Sequence, residues 1–365
     1  MANHSEKRPA PWQPNLEIGR RRLFNQRLAG RGFQRPAEAV AWLGAVQAQD
    51  FAGAKWALGQ RLQAATDAEV EQAFNQGAIL RTHPMRPTWH FVVPADIRWL
   101  LALTGARVAA RNAYRYRQLE LDAADFRRSQ TTFNQALAGG RALTREELRA
   151  GLHQAGLDTQ GQRMAYLLMH AELDGLICSG PRRGKQFTYM LLEERVPPAA
   201  LLERDQALAE LLRRYFQSHG PATVHDFVWW SELTVADARR GLEGLKGELA
   251  SEVIDGRAYW FSAAERAPAG EPEAAYLLPN YDECGSYKDR GAFFDPARYG
   301  EFGLSHALLL NGRVAGSWRR TLKKDAIVIE TDFFEPPTPA ERSAVAAAAE
   351  RYGAFLGLQP VLEYT

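Results

Sequence analysis

The residues best suited to chemistry begin at Gly44-Ala45-Val46-Gln47-Ala48-Gln49-Asp50. Two carboxamides flank one alanine where a helical spacing of apolar residues runs out. A carboxamide both donates and accepts but carries no charge, so it can orient a water or a sugar and is a poor base. In a helix, residues i and i+2 face different ways. Gln47 and Gln49 therefore converge on one ligand only if the backbone leaves helical geometry near Ala48. Taken alone, the pair reads more readily as two glutamines ending a helix in solvent. A second polar run follows at Arg81-Thr82-His83-Pro84-Met85-Arg86-Pro87-Thr88-Trp89-His90. Strand alternation puts Thr88 and His90 on one side and Trp89 and Phe91 on the other. A polar face can then meet a ligand while an aromatic face meets a core. The guanidinium of Arg86 suits a phosphate.

Three successive sets of elements can position these residues, each a group of helices followed by a short strand pair. In the first, apolar spacing predicts helices over residues 16–29, 36–46, 51–62 and 67–74. Strands follow over 78–82 and 88–93, with Pro84 and Pro87 between them, and Pro94 opens another helix. The second set has a helix over 123–137, a capping box Thr144…Glu147 starting another, and an amphipathic helix over 160–174. Strands at 176–179 and 186–192 flank the basic turn Gly180-Pro181-Arg182-Arg183-Gly184-Lys185. After Pro197 and Pro198, the third set runs as helices over 207–218, 223–230 and 234–245, then a hairpin through Asp255-Gly256. Helices followed by a hairpin are the order of a winged helix. A stretch rich in Ala, Pro, Gly and Glu, 264–273, reads as a linker. Beyond it lie strands at 276–278, 307–310, 313–318 and 326–333, and an alanine-rich helix over 338–355. The expected domains are therefore 15–120, 121–196, 203–263 and 274–365, with no residue-level repeat among them.

A chain of 365 residues with 46% hydrophobic and 24% charged content is an ordinary globular composition. The net charge of +2 favours no partner, since a local basic face decides nucleic-acid binding. Such faces are candidates at Arg182, Arg183 and Lys185, at Arg319 and Arg320 with Lys323 and Lys324, and at Arg111–Arg117. Cys178 and Cys284 are too few and too far apart for a zinc site or a disulfide framework. They read as buried thiols of a reducing compartment. Residues 1–14 lack the apolar core of a signal peptide, and no apolar run approaches a membrane span. A phosphate loop ending in Lys-Ser/Thr, His-Glu-x-x-His and Cys-x-x-Cys are all missing from the sequence.

Together, the two polar runs resemble the AlkZ/YcaQ family of bacterial DNA glycosylases. Members carry Gln-x-Gln or Gln-x-Asp after Gly-Ala-Val, then Arg-Thr-x-x-Met-Arg-x-Thr-x-His. Gln47-Ala48-Gln49 matches the Gln-x-Gln branch. Pro87 stands where the family more often has glycine, and Trp89 and Phe91 where leucine is frequent. The resemblance continues through Leu278-Pro279-Asn280-Tyr281-Asp282, Tyr287-Lys288-Asp289-Arg290 and residues 312–320, and so spans the chain from about Glu17 onward. It implies an α+β protein of three tandem winged-helix domains followed by a β-rich, barrel-like C-terminal domain with a terminal helix.

The resemblance further implies a monofunctional DNA glycosylase that hydrolyses the N-glycosidic bond of cationic alkylated purines. Gln47 and Gln49 would be catalytic. Arg81, Arg86, Thr88, His90, Arg182, Arg183, Lys185, Arg319 and Arg320 would contact DNA. A carboxylate in the Gln-x-Asp branch occupies the place of Gln49, not of Asp50, so Asp50 is expected to cap or pair. Glutamine cannot activate water as a base, so the leaving group must already be good. N7-alkylguanine and N3-alkyladenine qualify, because the cationic base departs neutral. Amide oxygens facing the deoxyribose would stabilise its developing positive charge, and one would hold the attacking water. No lysine stands out as a Schiff-base nucleophile. The Tyr281–Arg290 segment is expected to pin the last domain against the first. Expected too are a monomer on double-stranded DNA, possession of neither metal nor cofactor, no membrane association, and a cytoplasmic location that becomes nucleoid-associated on binding. Two rivals share the fold: a winged-helix regulator without chemistry, and a scaffold that binds proteins.

Overall fold

Local chemistry sets where the helices begin and stop in the computed structural model, which describes residues 15–199, 201–264, 274–298 and 306–364. Helix α1 (Leu16–Asn25) starts on the Asn15 side chain, and α2 (Pro36–Leu43) starts on a proline. Gly44 at φ 80° stops α2, because a residue without a Cβ takes the left-handed conformation cheaply. The helix thus ends before the expected residue 46. That early stop releases Val46–Gln47 as an extended segment, β1. Asp50 then accepts from the Gly53 N–H at 3.1 Å and caps α3 (Phe51–Gly59). Helix α4 (Asp67–Asn75) has a Thr66/Glu69 capping box and leads to β2 (Leu80–Thr82) and β3 (His90–Val92). The sheet order is β1-β3-β2.

Helices α5 (Pro94–Arg111) and α6 (Ala113–Gln118) lead to a second group. It holds α7 (Ala123–Leu137), β4 (Leu143–Thr144), α8 (Arg145–Gln154), α9 (Arg163–Leu173), β5 (Ile177–Ser179), β6 (Thr188–Leu191) and α10 (Leu192–Arg195). Its sheet, β4-β6-β5, repeats the three-stranded plan of the first. In both sheets the sequence reading missed the two-residue strand. The third group is α11 (Arg204–Ser218), α12 (Val224–Ser231), α13 (Val235–Glu243) and the antiparallel hairpin β7 (Leu249–Ile254) and β8 (Arg257–Ser262). Asp255 and Gly256 turn that hairpin at φ 49° and 73°, as a two-residue Asp-Gly turn requires. The expected linker lies outside the described residues except for Ala264, as does the N-terminal stretch over 1–14.

The C-terminal part holds β9 (Ala275–Leu278), β10 (Ala307–Leu310), β11 (Arg313–Leu322), β12 (Ala326–Phe333), α14 (Pro339–Leu356) and β13 (Gln359–Tyr364). The resemblance implies a barrel-like sheet. Among the described residues the sheet is instead open, ordered β13-β12-β11-β10-β9, and β13, which sequence reading missed, runs parallel to β12. The protein is of the α+β class.

The hydrophobic cores cross the boundaries between these groups. One cluster links α1 and α5 to α11, α12 and the C-terminal strands through residues such as Ile18, Leu100, Leu211, Phe227 and Leu309. Another seats the first group on the C-terminal sheet and α14: Trp56 lies 4.6 Å from Tyr352 and 5.1 Å from Phe355, ring to ring. Burying each such side chain contributes about 1.5–3 kcal/mol. The second group keeps a core of its own around Phe133, Leu148 and Leu167. The first small sheet is therefore clamped on two sides. Among the described residues, no helix is long and apolar enough to cross a membrane.

Candidate active site

Gln47 pairs with His90 across β1 and β3, and His90 pairs with Thr82 across β3 and β2. Directly opposed residues of an antiparallel sheet share a face, so these three side chains form one row. The Ala48 N–H donates to the Trp89 carbonyl at 2.7 Å, which carries the extended course past β1. A period of two then directs Gln49 to the same side as Gln47. The departure from helix that convergence requires is thus present, made by Gly44 rather than by Ala48. Gln49 is exposed, and its Oε1 accepts from the Trp89 N–H at 3.3 Å. Gln47 is 9% exposed, and its carboxamide has no hydrogen-bond partner among the described residues.

Arg86, Thr88 and His90 form a short relay at the end of that row. Arg86 Nη2 donates to His90 Nε2 at 3.1 Å, and His90 Nδ1 donates to the Thr88 carbonyl at 2.9 Å. The ring is neutral in this arrangement. Burial, and then the charge of Arg86, pushes its pKa down to about 3. His90 is fully buried, so it cannot meet DNA; it orients Arg86 instead, which corrects the sequence expectation. Arg86 is half-buried at φ 55°, a strained conformation for a side chain with a Cβ. Burial lowers its pKa, and the nearby Glu283 and Glu232 oppose that. The Arg86 Nε, Thr88 Oγ1 and Thr82 Oγ1 are buried without a hydrogen-bond partner among the described residues.

Arg81 also needs correction. It is 7% exposed and lies on the opposite face of the sheet, where its Nε donates to the Ala48 carbonyl at 3.0 Å. The guanidinium lies over Trp89 at 4.1 Å and Phe187 at 4.5 Å, and burial lowers its pKa to about 10. Arg81 is a charged brace under the Gln47–Gln49 segment, out of reach of a phosphate.

The residue that sequence reasoning missed is Glu283. It sits in the single-turn 3₁₀ segment Glu283–Gly285, inside the stretch expected to pin the domains together. Its Oε1 accepts the Gln47 backbone N–H at 2.9 Å, and its Oε2 accepts Trp230 Nε1 at 3.0 Å and His219 Nε2 at 3.2 Å. Burial alone raises a carboxyl pKa. Here the hydrogen bond from His219 Nε2, the Arg86 charge and the Gln47 N–H outweigh it and hold the carboxyl below the usual carboxylate range. Next to it, Asp282 takes a bidentate pair from Arg61 at 2.9 and 2.8 Å. Arg61 also donates to Gln26 Oε1 at 2.9 Å, and Gln26 Nε2 donates to the Tyr287 hydroxyl at 2.9 Å and the Glu283 carbonyl at 3.1 Å. The Tyr281–Arg290 segment does join the last part of the chain to the first and third. Nothing in the sequence distinguishes Glu283 from its acidic neighbours; the signal was the segment alone.

The basic candidates divide. Arg182 turns inward: its N–H donates to Asn75 Oδ1 at 2.8 Å, its guanidinium reaches Glu71 at 3.4 Å, and Phe51 and Phe187 each lie 4.9 Å away. Arg320 donates to the Tyr352 hydroxyl. Both are half-buried and engaged within the fold. Arg183 is exposed but paired with Glu147 at 2.7 Å. Lys185 and Arg319 are exposed, with no hydrogen bond or ion pair of their side chains among the described residues. Trp230 is fully buried, while Trp229 is half-buried with Arg86 and Arg290 each 5.4 Å from its ring. Cys178 and Cys284 are buried and free.

Comparison with known proteins places the chain in a family. The model of the family described as DNA glycosylase AlkZ-like matches residues 40–355. An interstrand DNA cross-link repair glycosylase of Streptomyces sahachiroi is 23% identical over 363 residues, covering 92% of this chain and 93% of that protein. The solved structure of the Streptomyces sahachiroi DNA glycosylase AlkZ aligns with a TM-score of 0.81 at 21% identity, over 97% of this chain and 100% of that one. At such identity the structural likeness speaks for the fold.

Proposed function

Because the chain belongs to the AlkZ-like DNA glycosylase family, we propose that this DNA glycosylase removes cationic alkylated purines, N7-alkylguanines above all, from duplex DNA through Gln47 and Gln49. The observation that carries this reading is the row on the first sheet. Two neutral carboxamides lie one residue apart past Gly44, that of Gln47 has no hydrogen-bond partner among the described residues, and the histidine opposite Gln47 is held neutral. Such a site can orient and polarise but cannot remove a proton from water. It therefore suits a bond whose leaving group needs no acid. As the C1′–N9 bond breaks, its electron pair neutralises the cationic purine, and positive charge appears on the deoxyribose. Amide oxygens of Gln47 and Gln49 face that charge and hold a water whose oxygen bonds to C1′, and its proton passes to solvent. Arg86 and Thr88 position the backbone beside the lesion, Arg86 being aimed by His90. Arg183, Lys185 and Arg319 supply further phosphate contacts.

The Streptomyces relative is named for interstrand cross-link repair. Bases joined through N7 are cationic alkylpurines too, so cross-links fall within the same chemistry. The test is incubation of the protein with duplex carrying N7-methylguanine, followed by alkali. Strand breaks above the protein-free control are expected. Tight DNA binding without breaks would overturn the reading in favour of a regulator.

A further inference from the structure

We propose that Glu283 supplies the negative charge that the Gln-x-Gln segment lacks, holding Gln47 by its backbone N–H and stabilising positive charge on the deoxyribose from behind the strand. The inference rests on the glycosylase reading above and assigns a positioning and electrostatic residue to it. Glu283 touches no substrate, since it is fully buried. It acts through β1.

Two neighbouring carboxylates show why the charge matters. Asp282 is cancelled where it stands, by a bidentate guanidinium with both Arg61–Asp282 distances under 3 Å. Glu283 is not. Among the described residues its only ion-pair partner within 4.0 Å is His219, whose pKa burial pushes down. The other donors are the Trp230 indole and the Gln47 amide, both neutral. Arg86 acts on it from farther off and is directed by hydrogen bonding to His90. A buried charge costs several kcal/mol that an amide in the same place would not. Both of its oxygens accept N–H donors, which an amide with one oxygen cannot do, so the carboxylate also serves the joint between three parts of the fold. One ionised oxygen ends on the amide of a residue proposed to face the reacting sugar. A unit charge acting through protein over roughly 8–10 Å changes a rate by about ten- to thirtyfold.

The test uses Glu283→Gln, which keeps shape and an acceptor but removes the charge. Two readouts are compared: single-turnover excision of N7-methylguanine, and Kd for duplexes carrying a neutral tetrahydrofuran or a cationic pyrrolidine in place of the reacting sugar. Excision should fall about ten- to thirtyfold. Affinity for the neutral analogue should hold, while the wild-type preference for the cation is lost. A merely structural residue would weaken both analogues alike, and that result overturns the proposal, as does wild-type excision by the variant. Glu283→Asp keeps the charge on a shorter arm. It should retain the cation preference at reduced thermal stability, so a folded Asp variant without that preference also refutes the role, even where the Gln variant fails to fold. Wild-type protein that makes no alkali-labile breaks would overturn the glycosylase reading itself. Breaks by wild type with an unimpaired Gln variant would overturn only the role of Glu283.

Discussion

The two sides of β1 follow opposite rules. Behind it, the polar groups of Glu283, Asp282, Arg61, Gln26 and Tyr287 are taken up by one another, by backbone or by Trp230 and His219. In front of it, the Gln47 carboxamide, Thr82 Oγ1, Thr88 Oγ1 and Arg86 Nε have no hydrogen-bond partner among the described residues. Each unsatisfied buried group costs about 1–3 kcal/mol. A protein gains nothing in stability from that row. The back of the strand is built to stay put, and on the front the Gln47 and Gln49 carboxamides are the groups that something from outside can reach. Rigidity on one side is what makes the other side accurate, since a misplacement of about 1 Å can cost roughly a hundredfold in rate.

If that division is right, the largest effect on stability comes from the back. Arg61→Ala leaves Asp282 buried and unpaired, and removal of one member of such a pair costs about 3–5 kcal/mol. Urea denaturation should show that loss. An Arg61→Ala protein as stable as wild type would mean that the joint is not what holds β1. On the front, Gln47→Ala or Gln49→Ala should lower excision about 10²–10³-fold while leaving stability and DNA affinity nearly unchanged, because phosphate contacts supply affinity. Wild-type excision by both variants would break the comparison on that side.

A titration sharpens it further. The native pKa of His90 is about 3, below its ordinary value of 6.5. The unfolded chain therefore binds the proton first. The stability due to a neutral His90 is complete above pH 6.5 and is lost as pH falls from 6.5 towards 3. One such group tilts stability by about 1.4 kcal/mol per pH unit across that window. Replacing His90 with Gln should remove that tilt in denaturation series run between pH 7 and pH 4. An unchanged slope would place the histidine elsewhere than in a buried neutral row.

The sequence was most legible where punctuation is local. The Thr144 box and the Asp255-Gly256 turn mark element ends by hydrogen bonds within a few residues. Gly44 did so too, yet the helix was expected to run three residues longer because the apolar spacing continues through Val46. The two-residue strands β1 and β4 were illegible, since no periodicity exists over two residues; their partners across the sheet define them. Gln47 and Gln49 stood out through their spacing in a familiar run. Their support did not, because Glu283 lies 236 residues further on in the chain and no local pattern separates it from Asp282. The arginines misled for a related reason. Arg81 and Arg182 look like phosphate ligands in a sequence, but the packed Trp89, Phe51 and Phe187 rings show Arg81 as a buried brace and Arg182 as a half-buried one.

The smallest effects separate arginines spent on the fold from cations left for DNA. Each phosphate contact contributes about 0.9 to the slope of log affinity against log salt. Lys185→Ala and Arg319→Ala remove exposed cations that no described ion pair holds, so each should flatten the slope by about 0.9 with little change in melting temperature. Arg182→Ala and Arg320→Ala remove groups already engaged with Glu71 and with Tyr352. They should leave the slope alone and lower the melting temperature. Arg86→Ala belongs with neither pair. It should flatten the slope like Lys185 and also slow excision, because its guanidinium lies beside the carboxamide row and is aimed by His90 at 3.1 Å. One titration series over the five variants decides the assignment. If Arg182→Ala flattened the slope while Lys185→Ala did not, the wing would be reversed, with Arg182 leaving Glu71 for a phosphate on binding. Should Arg86→Ala leave both slope and rate unchanged, DNA does not lie across the front of the first sheet, and the unspent groups there answer to another partner.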